Sequence, residues 1–305
     1  MRITHKRLAK IEWCILQKTS KLLASFPVFV THTLARLLQV FIFGLFGFRR
    51  KVILQNLARS FPEKTEYERS LIAQQFSRFF CELLLETIRR LSLSESQIDE
   101  LYHFENREVI TQLHQNGKGI ALVLGHNADW ELGMTVISKE IPRDVFAIYH
   151  PPKSFGFRRL LYLTRRRFGT RTIPMRGASK KIQLLAEKRK GLKRPMTLLF
   201  LGDQNAPAEN ARWTRFLQQD TAFFWGMERL SKKLDLAVVF MKVSRTETGK
   251  AIIRFELLFE SVQSLAEGAV IDRFSQKLEA QIQEDPAHWL WSHRRWKAVK
   301  PKVDA

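Results

Sequence analysis

A histidine and a carboxylate lie five positions apart in the stretch Gly125-His-Asn-Ala-Asp-Trp-Glu131. The imidazole of His126 could take a proton from a hydroxyl near neutral pH, and the carboxylate of Glu131 could orient the ring and stabilise the imidazolium that results. Such a pair would form a general base that activates a hydroxyl for attack. The alternative is a structural histidine beside a surface glutamate, which carries no chemistry.

The elements around His126 decide whether the two side chains can meet. The apolar run Gly119–Leu124 predicts a buried strand, and the residues after His126 predict the start of a helix. Positions i and i+5 of a regular helix point well apart, because each residue advances by about 100°. We therefore expect His126 in the turn before the helix, with Asn127 or Asp129 capping the first helical turn and Glu131 reaching back.

The chain beyond residue 50 alternates strand and helix patterns. Apolar side chains at helical spacing predict a long amphipathic helix over Glu66–Leu91. Short apolar segments predict six strands, over Gly119–Leu124, Val145–Tyr149, Thr172–Pro174, Met196–Leu201, Ala237–Val243 and Ile252–Leu258. Helical patterns lie between most of these strands, which predicts an α/β fold with a largely parallel sheet covered by helices on both faces.

Composition limits the class of protein and its partners. At 305 residues the chain can form one large α/β domain with an N-terminal appendage. The formal net charge of +21 indicates an anionic partner, such as a membrane surface, lipid phosphates, an acidic protein or nucleic acid. The two cysteines, Cys14 and Cys81, lie outside any zinc-binding spacing. This pattern argues against a disulfide scaffold and a structural metal site, and it suits a reducing compartment.

The first fifty residues predict attachment to a membrane. Residues Leu22 to Phe48 are mostly apolar, although His32 and Arg36 interrupt them. About twenty apolar residues can cross a bilayer, but one arginine near the centre costs a few kcal/mol, so a tilted span and an interfacial helix pair both fit. We predict a membrane anchor over residues 1–50 and one folded domain over residues 51–300. The alternative is a buried helix of a soluble protein.

Several reaction mechanisms lack their motifs in this sequence. It has no Gly-x-Ser-x-Gly turn for a serine nucleophile, no phosphate-binding Gly-x-x-x-x-Gly-Lys loop, no Gly-x-Gly-x-x-Gly turn and no His-Glu-x-x-His pair. These absences argue against covalent serine hydrolysis, nucleotide binding and zinc-dependent hydrolysis. Direct transfer to a hydroxyl activated by His126 remains, with a cationic side chain or backbone N–H groups stabilising the oxyanion.

The stretch from Gly125 to Gly133 resembles the His-x-x-x-x-Asp/Glu block of the bacterial lipid A late acyltransferases and the related lysophospholipid acyltransferases. Further segments resemble the later blocks of this family in the same order: Tyr149-His-Pro151 with Arg165-Arg-Arg167-Phe-Gly, Gly202-Asp203-Gln204, Phe216-Leu-Gln-Gln-Asp-Thr221 with Gly226, and Trp289-Leu-Trp-Ser-His-Arg-Arg-Trp-Lys297. The resemblance covers nearly the whole chain.

The resemblance implies a glycerolipid-acyltransferase-like α/β fold, a mostly parallel sheet flanked by helices, with an N-terminal membrane-anchor helix. It also implies a membrane-bound O-acyltransferase that moves a fatty acyl group from a thioester to a hydroxyl of a lipid A precursor. Acyl carrier protein is the expected donor, and coenzyme A stays open. Membrane lipids are the other expected partners, and no cofactor or metal is implied. The expected location is the bacterial inner membrane, with the active site facing the cytoplasm or the membrane interface.

The resemblance extends the candidate site beyond His126 and Glu131. It implies that Arg165 stabilises the oxyanion or binds a phosphate, and that Asp203 supports this arginine or positions the acceptor. Arg167 and Gln204 are the expected substrate-binding residues, and Arg167 is also the rival of Arg165. Each has a structural alternative, since an arginine often lies on a helix surface and Asp203 could cap a turn.

The C-terminal tryptophans Trp289, Trp291 and Trp296 are expected to seat the end of the chain in the core or at the membrane interface. We interpret His150 and His293 as structural. No catalytic role is therefore expected for the C-terminal segment.

Two alternatives to a lipid A acyltransferase stay open. The segment Asp203-Gln204-Asn205 differs from the Asp-His-Asp block of many lipid A enzymes and is closer to the broader group, so the acceptor could be a lysophospholipid or an aminolipid. A membrane-associated polyanion-binding protein would explain the charge and the aromatic residues between arginines near the C-terminus. That alternative leaves the apolar anchor without a purpose, and no RNA-binding signature occurs, so we expect no nucleic-acid partner.

Overall fold

The computed structural model describes residues 2–141, 144–189, 195–246 and 248–301, with side chains from residue 7 onward. Nine strands occur in this part of the chain: β1 (Tyr102–Glu105), β2 (Ile120–Leu124), β3 (Val145–Tyr149), β4 (Arg171–Pro174), β5 (Thr197–Leu201), β6 (Ala211–Phe216), β7 (Gln219–Phe224), β8 (Ala237–Arg245) and β9 (Ala251–Phe259). Seven of them form one sheet in the order β1-β9-β8-β2-β5-β3-β4, and β6 and β7 form a separate antiparallel pair.

Helices precede the sheet and connect its strands. They are α1 (Arg2–Ala24), α2 (Val28–Gln39), α3 (Arg50–Ser60), α4 (Glu66–Arg90), α5 (Glu95–Asp99), α6 (Arg107–Gln115), α7 (Trp130–Glu140), α8 (Phe155–Arg166), α9 (Ala178–Glu187), α10 (Gly226–Leu234) and α11 (Ala269–Glu284). A π-helical segment, Val40–Leu45, continues α2. The predicted helix over Glu66–Leu91 is α4, whose first turn is fixed by a capping box between Thr65 and Glu68.

The sheet is mostly parallel, so the predicted fold class is confirmed. Strand β2 pairs in parallel with β5 and β8, and β3 pairs in parallel with β4 and β5, whereas β8 and β9 are antiparallel. All five residues of β2 are buried. A strand at the centre of a sheet covered on both faces has no solvent-facing side, which is why its sequence is a continuous apolar run.

All six predicted strands are present, with ends shifted by no more than two residues, but β1, β6 and β7 were not predicted. Strand β1 has only four residues, of which only Phe104 is buried. The sequence Ala-Arg-Trp-Thr-Arg-Phe of β6 contains two arginines and is only partly buried. Short or half-buried strands with charged residues lack the apolar run on which the predictions depended.

The N-terminal segment forms two helices, α1 and α2, and the second of them, with its π-helical continuation, is the candidate membrane-anchor helix. Pro27 separates α1 from α2, because proline has no N–H group to continue a helix. Helix α1 packs against α4 and α8, and α2 packs against α4. By length and composition, Val28–Leu45 could cross a membrane, and only 11% of it is buried. The division into an anchor over 1–50 and a domain over 51–300 stays a prediction.

The end of β5 lies unusually close to α11, and this contact can be tested. A Cβ atom at Gly202 would lie 2.7 Å from Cε1 of Phe274. Gly202→Ala should therefore displace the helix and lower the free energy of unfolding by about 1–3 kcal/mol, measured by urea denaturation in detergent. Gly226→Ala is the control, because no atom lies within 4 Å of a Cβ there. Equal stability of the two variants would contradict this packing.

Candidate functional site

The candidate site lies where the parallel strands of the sheet end. His126 follows β2 after one glycine, Asp203 follows β5 after another, and His150 comes directly after β3. Because β2, β3 and β5 run in the same direction, their carboxyl ends meet at one edge of the sheet. Ligands of open α/β sheets bind in the crevice at this edge.

His126 and Asp203 form a buried dyad at this edge. The Nδ1 atom of His126 lies 2.6 Å from Oδ1 of Asp203, and the backbone N–H of His126 donates to Oδ2 at 2.8 Å. The indole N–H of Trp289 donates to the same Oδ2 at 2.8 Å. A carboxylate at Nδ1 fixes the proton on that atom, so Nε2 is left as the basic nitrogen. The side chains therefore have the arrangement of a general base and its orienting carboxylate.

The surroundings of Asp203 keep it ionised. Burial alone would raise the pKa of this carboxyl, but the charge of His126 and hydrogen bonds from His126 and Trp289 hold the pKa well below its usual value. The carboxylate therefore keeps its charge throughout the pH range in which His126 would act as a base.

The predicted pairing of His126 with Glu131 is wrong, because Glu131 is held by Arg165. The guanidinium donates from Nε to Oε2 at 2.9 Å and from Nη2 to Oε1 at 2.5 Å. Burial would raise the pKa of Glu131, but the charge and hydrogen bonds of Arg165, together with the charges of Arg90 and His126, lower the pKa below its usual value. The expected support of Arg165 by Asp203 is wrong for the same reason: Asp203 contacts His126. Each carboxylate therefore has the partner that was predicted for the other. The catalytic roles of His126, Glu131, Arg165 and Asp203 stay predictions.

Local geometry at the start of α7 explains this exchange. Asp129 caps the helix by accepting a hydrogen bond from the N–H of Leu132 at 2.8 Å, as one of the two predicted caps, and it also pairs with the buried Arg90. Ala128 adopts a left-handed conformation with φ of 47°, and its N–H donates to the carbonyl of His288. The tight turn sends His126 towards β5, while Glu131, in the first turn of α7, faces α8.

An apolar cavity of about 210 Å³ opens beside the dyad. His126, Arg165 and Gln204 contribute polar groups to its wall. The remaining wall is mostly apolar and is formed by Ile148, Tyr149, Met175, Ala178, Phe200, Leu201, Phe224, Met227 and Leu230, with His150, Ser179, Gly202 and Gly226. The three polar groups thus share a pocket whose other walls suit a hydrocarbon chain.

The three consecutive arginines at the end of α8 differ in their environment. Arg165 is buried and lines the cavity, and because Glu131 occupies Nε and Nη2, its Nη1 group is left for a ligand. Arg166 is exposed and contacts the hydroxyl of Tyr162. Arg167 is also exposed and donates to the carbonyl of Arg90 at 3.3 Å, outside the cavity wall, so its predicted substrate contact is not supported.

Gln204 lies where the prediction expects it, and two further residues at the site were missed. The side-chain amide of Gln204 is 3.4 Å from Nε2 of His126. Trp289 is buried and bonds Asp203, and His150, which we interpreted as structural, lies on the cavity wall. No spacing in the sequence connects Trp289 with Asp203, which lies 86 positions earlier. The position of His150 after a parallel strand was the one available signal.

The contribution of Arg165 to the reaction rate should depend on the geometry of its guanidinium group as well as on its charge. Arg165→Lys should slow the expected acyl transfer nearly as much as Arg165→Ala, on the order of a hundredfold, because lysine cannot form the paired hydrogen bonds to Glu131 and still present a further donor. Initial rates measured with one thioester donor would test this. Arg166→Ala is the matched control and should leave the rate nearly unchanged. Full activity of Arg165→Ala, with loss in Arg167→Ala, would contradict the assignment.

Comparison with known proteins identifies the family of the chain. No curated protein matches the chain. A family model described as "Bacterial lipid A biosynthesis acyltransferase" matches residues 4–298, which includes the dyad, the glutamate–arginine pair and the C-terminal tryptophans. Because this match covers nearly the whole chain, the protein belongs to the family of bacterial lipid A biosynthesis acyltransferases.

Proposed function

We propose that the protein transfers a fatty acyl group from acyl carrier protein to a hydroxyl of a lipid A precursor, at the cytoplasmic face of the bacterial inner membrane. Acyltransferase activity follows from the family. The observation that carries the proposal is the Asp203–His126 dyad at the wall of an apolar cavity. A base oriented in this way, beside a pocket suited to an acyl chain, fits the attack of a hydroxyl on an acyl thioester.

The proposed reaction uses the free nitrogen of the dyad. Nε2 of His126 takes the proton of the acceptor hydroxyl, whose oxygen attacks the thioester carbonyl carbon. The tetrahedral oxyanion accepts a hydrogen bond from Nη1 of Arg165, which Glu131 holds in place. Collapse of this intermediate breaks the carbon–sulfur bond, and the thiolate takes the proton from His126. Asp203 stabilises the imidazolium between the two proton transfers. In this mechanism the four residues act without a cofactor.

The N-terminal helices support a location at the membrane surface. One side of α2 is held to α4, where Nε2 of His32 lies 2.8 Å from Oε1 of Glu86. The other side of α2 and its π-helical continuation expose large apolar side chains, among them Phe29, Leu37 and Phe41. A helix held along one side by a folded domain can bury its other side in the headgroup region of a bilayer. We therefore favour the interfacial helix pair over a span.

The donor and the acceptor can be identified with purified protein. Acyl carrier protein and coenzyme A thioesters would each be combined with an under-acylated lipid A precursor, a lysophospholipid and an aminolipid, and the products analysed by mass spectrometry. We expect one added acyl group on the lipid A precursor, with acyl carrier protein as the better donor. A product formed only from the lysophospholipid or the aminolipid would show that the proposed acceptor is wrong, whereas the proposed acyl transfer would stand.

A deletion strain of the source bacterium provides the matching test in cells. We expect its lipid A to lack one acyl group, while its other lipids stay unchanged. Absence of transfer from every thioester, together with salt-sensitive binding of RNA to the purified protein, would instead support the polyanion-binding alternative.

A further inference from the structure

A second cavity, which we call the basic groove, opens between α3 and the C-terminal segment, with a volume of about 620 Å³. Six cationic side chains line it: Arg49, Arg50, Lys51, Arg59, Arg294 and Lys297. No carboxylate is among the described residues of its wall. The groove therefore concentrates positive charge in one concave place.

The cations of the basic groove have no acidic partner among the described residues. Some other arginines of this chain pair with acids, as Arg165 does with Glu131 and Arg245 does with Glu86. Within the described part of the chain, no ion pair joins any of the six groove cations to a carboxylate. Like charges in one concavity repel each other, and an anion between them would relieve this repulsion.

Hydrogen bonds hold the two walls of the basic groove together. Nδ2 of Asn56, in α3, donates to the carbonyls of Trp291 and His293 at 2.9 and 3.0 Å. Nη1 of Arg49 donates to the carbonyl of Ser292 at 2.7 Å. These bonds fix α3 against the C-terminal segment, so the cations of the two walls face a site of fixed width.

The basic groove borders the apolar surface of the N-terminal helices. Leu45 and Phe46, 70% and 80% exposed, immediately precede Gly47, the first residue of the groove wall. Exposed apolar side chains thus lie directly beside a cluster of cationic side chains. An anionic lipid has the same order of groups, since its acyl chains lie beside a phosphate.

We propose that the basic groove binds the phosphate-bearing headgroup of an anionic membrane lipid. Four of its six cations are arginines, whose planar guanidinium groups bind phosphate oxygens in pairs. A lipid fits better than an acidic carrier protein, because the neighbouring surface is apolar and not charged. The proposal rests on the membrane location given under Proposed function, but not on the identity of donor or acceptor.

The C-terminal segment connects the basic groove with the dyad. Trp296 lies on the groove wall, and its ring centroid is 6.0 Å from that of Trp289, which bonds Asp203. A headgroup in the groove would therefore be linked to the dyad through two packed indole rings.

Sedimentation with vesicles tests the proposal. The double variant Arg59→Gln/Arg294→Gln removes one exposed cation from each wall, and Lys188→Gln/Lys233→Gln removes two exposed cations elsewhere as the matched control. Each basic residue at an anionic surface contributes roughly fivefold in binding, so the groove variant should bind phosphatidylglycerol vesicles about 25-fold more weakly than the wild type. Binding to phosphatidylcholine vesicles should not change, and the control should stay within about twofold of the wild type.

Each other outcome overturns the proposal in a different way. Equal weakening by the control would mean that overall charge, not the groove, attracts the lipid. A groove variant that binds phosphatidylglycerol like the wild type would also refute it. If calorimetry detects binding of inorganic phosphate to the wild type but not to the variant, with vesicle binding unchanged, the ligand is free phosphate. A higher KM for acyl carrier protein alone would assign the groove to that protein. Wild-type protein that binds neither vesicle would refute the membrane location, whereas acyl transfer in detergent would be unaffected.

Discussion

Replacing His126 by alanine should slow acyl transfer by about a hundredfold to ten-thousandfold, the usual effect of losing a general base. In the proposed mechanism Nε2 of His126 receives the proton of the acceptor hydroxyl, and alanine has no group that could take it. The variant should keep its fold, because the side chain lies at the cavity wall and Asp203 still accepts the indole N–H of Trp289. Initial rates in detergent, with product detected by mass spectrometry, would measure the effect.

A histidine away from the site controls for this prediction. His103 is exposed on β1, so His103→Ala should transfer acyl groups at nearly the wild-type rate. The role of His126 as the base would be refuted by an alanine variant that is folded and retains more than about a tenth of wild-type activity, since general-base loss costs far more than this.

Asp203→Asn should lower the rate of acyl transfer nearly as much as His126→Ala, although asparagine has the same size as aspartate. An asparagine amide directed at Nδ1 donates a hydrogen bond, so it favours the tautomer whose proton lies on Nε2, where a base is needed. The equivalent replacement in serine-protease triads costs about ten-thousandfold. Wild-type rates in Asp203→Asn would show that the 2.6 Å contact with His126 has no part in the reaction.

Glu131→Gln should reduce the rate for a different reason. It weakens the paired hydrogen bonds to Arg165, and its effect should therefore resemble that of Arg165→Lys and disappear when Arg165 is already replaced. Rates for the two single variants and the double variant would measure this dependence. Additive losses of rate in the double variant would show that Glu131 acts independently of Arg165.

The central strands could be predicted from the sequence, because their burial on both faces requires uninterrupted apolar residues. Strands β2 and β5 have this pattern, and their carboxyl ends place His126 and Asp203 at one edge of the sheet. The hairpin of β6 and β7 could not be predicted in this way, since it lies outside the main sheet and carries charged side chains such as Arg215 and Asp220. Its burial depends on contacts made by distant parts of the chain.

The position of the base could be predicted, but the partner of the base could not. His126 and Glu131 are five positions apart, whereas Asp203 lies 77 positions after His126. Local spacing shows which residues are neighbours in the chain, but it does not show which of two carboxylates reaches Nδ1 once β2 and β5 are paired. The direction of Glu131 depends on α8, which supplies Arg165, and the burial of Trp289 depends on the C-terminal segment.

The partner exchange is the central claim, and a double-mutant cycle of single-turnover rates tests it most directly. Rates would be compared for His126→Ala alone and combined with Asp203→Asn or with Glu131→Gln. If Asp203 acts through His126, adding Asp203→Asn to His126→Ala should change the rate less than about threefold, because coupled residues are not additive. Glu131→Gln should keep its full effect in the same background, since it acts through Arg165. The opposite pattern, with Glu131→Gln silent and Asp203→Asn fully additive, would contradict the account and restore Glu131 as the partner of His126.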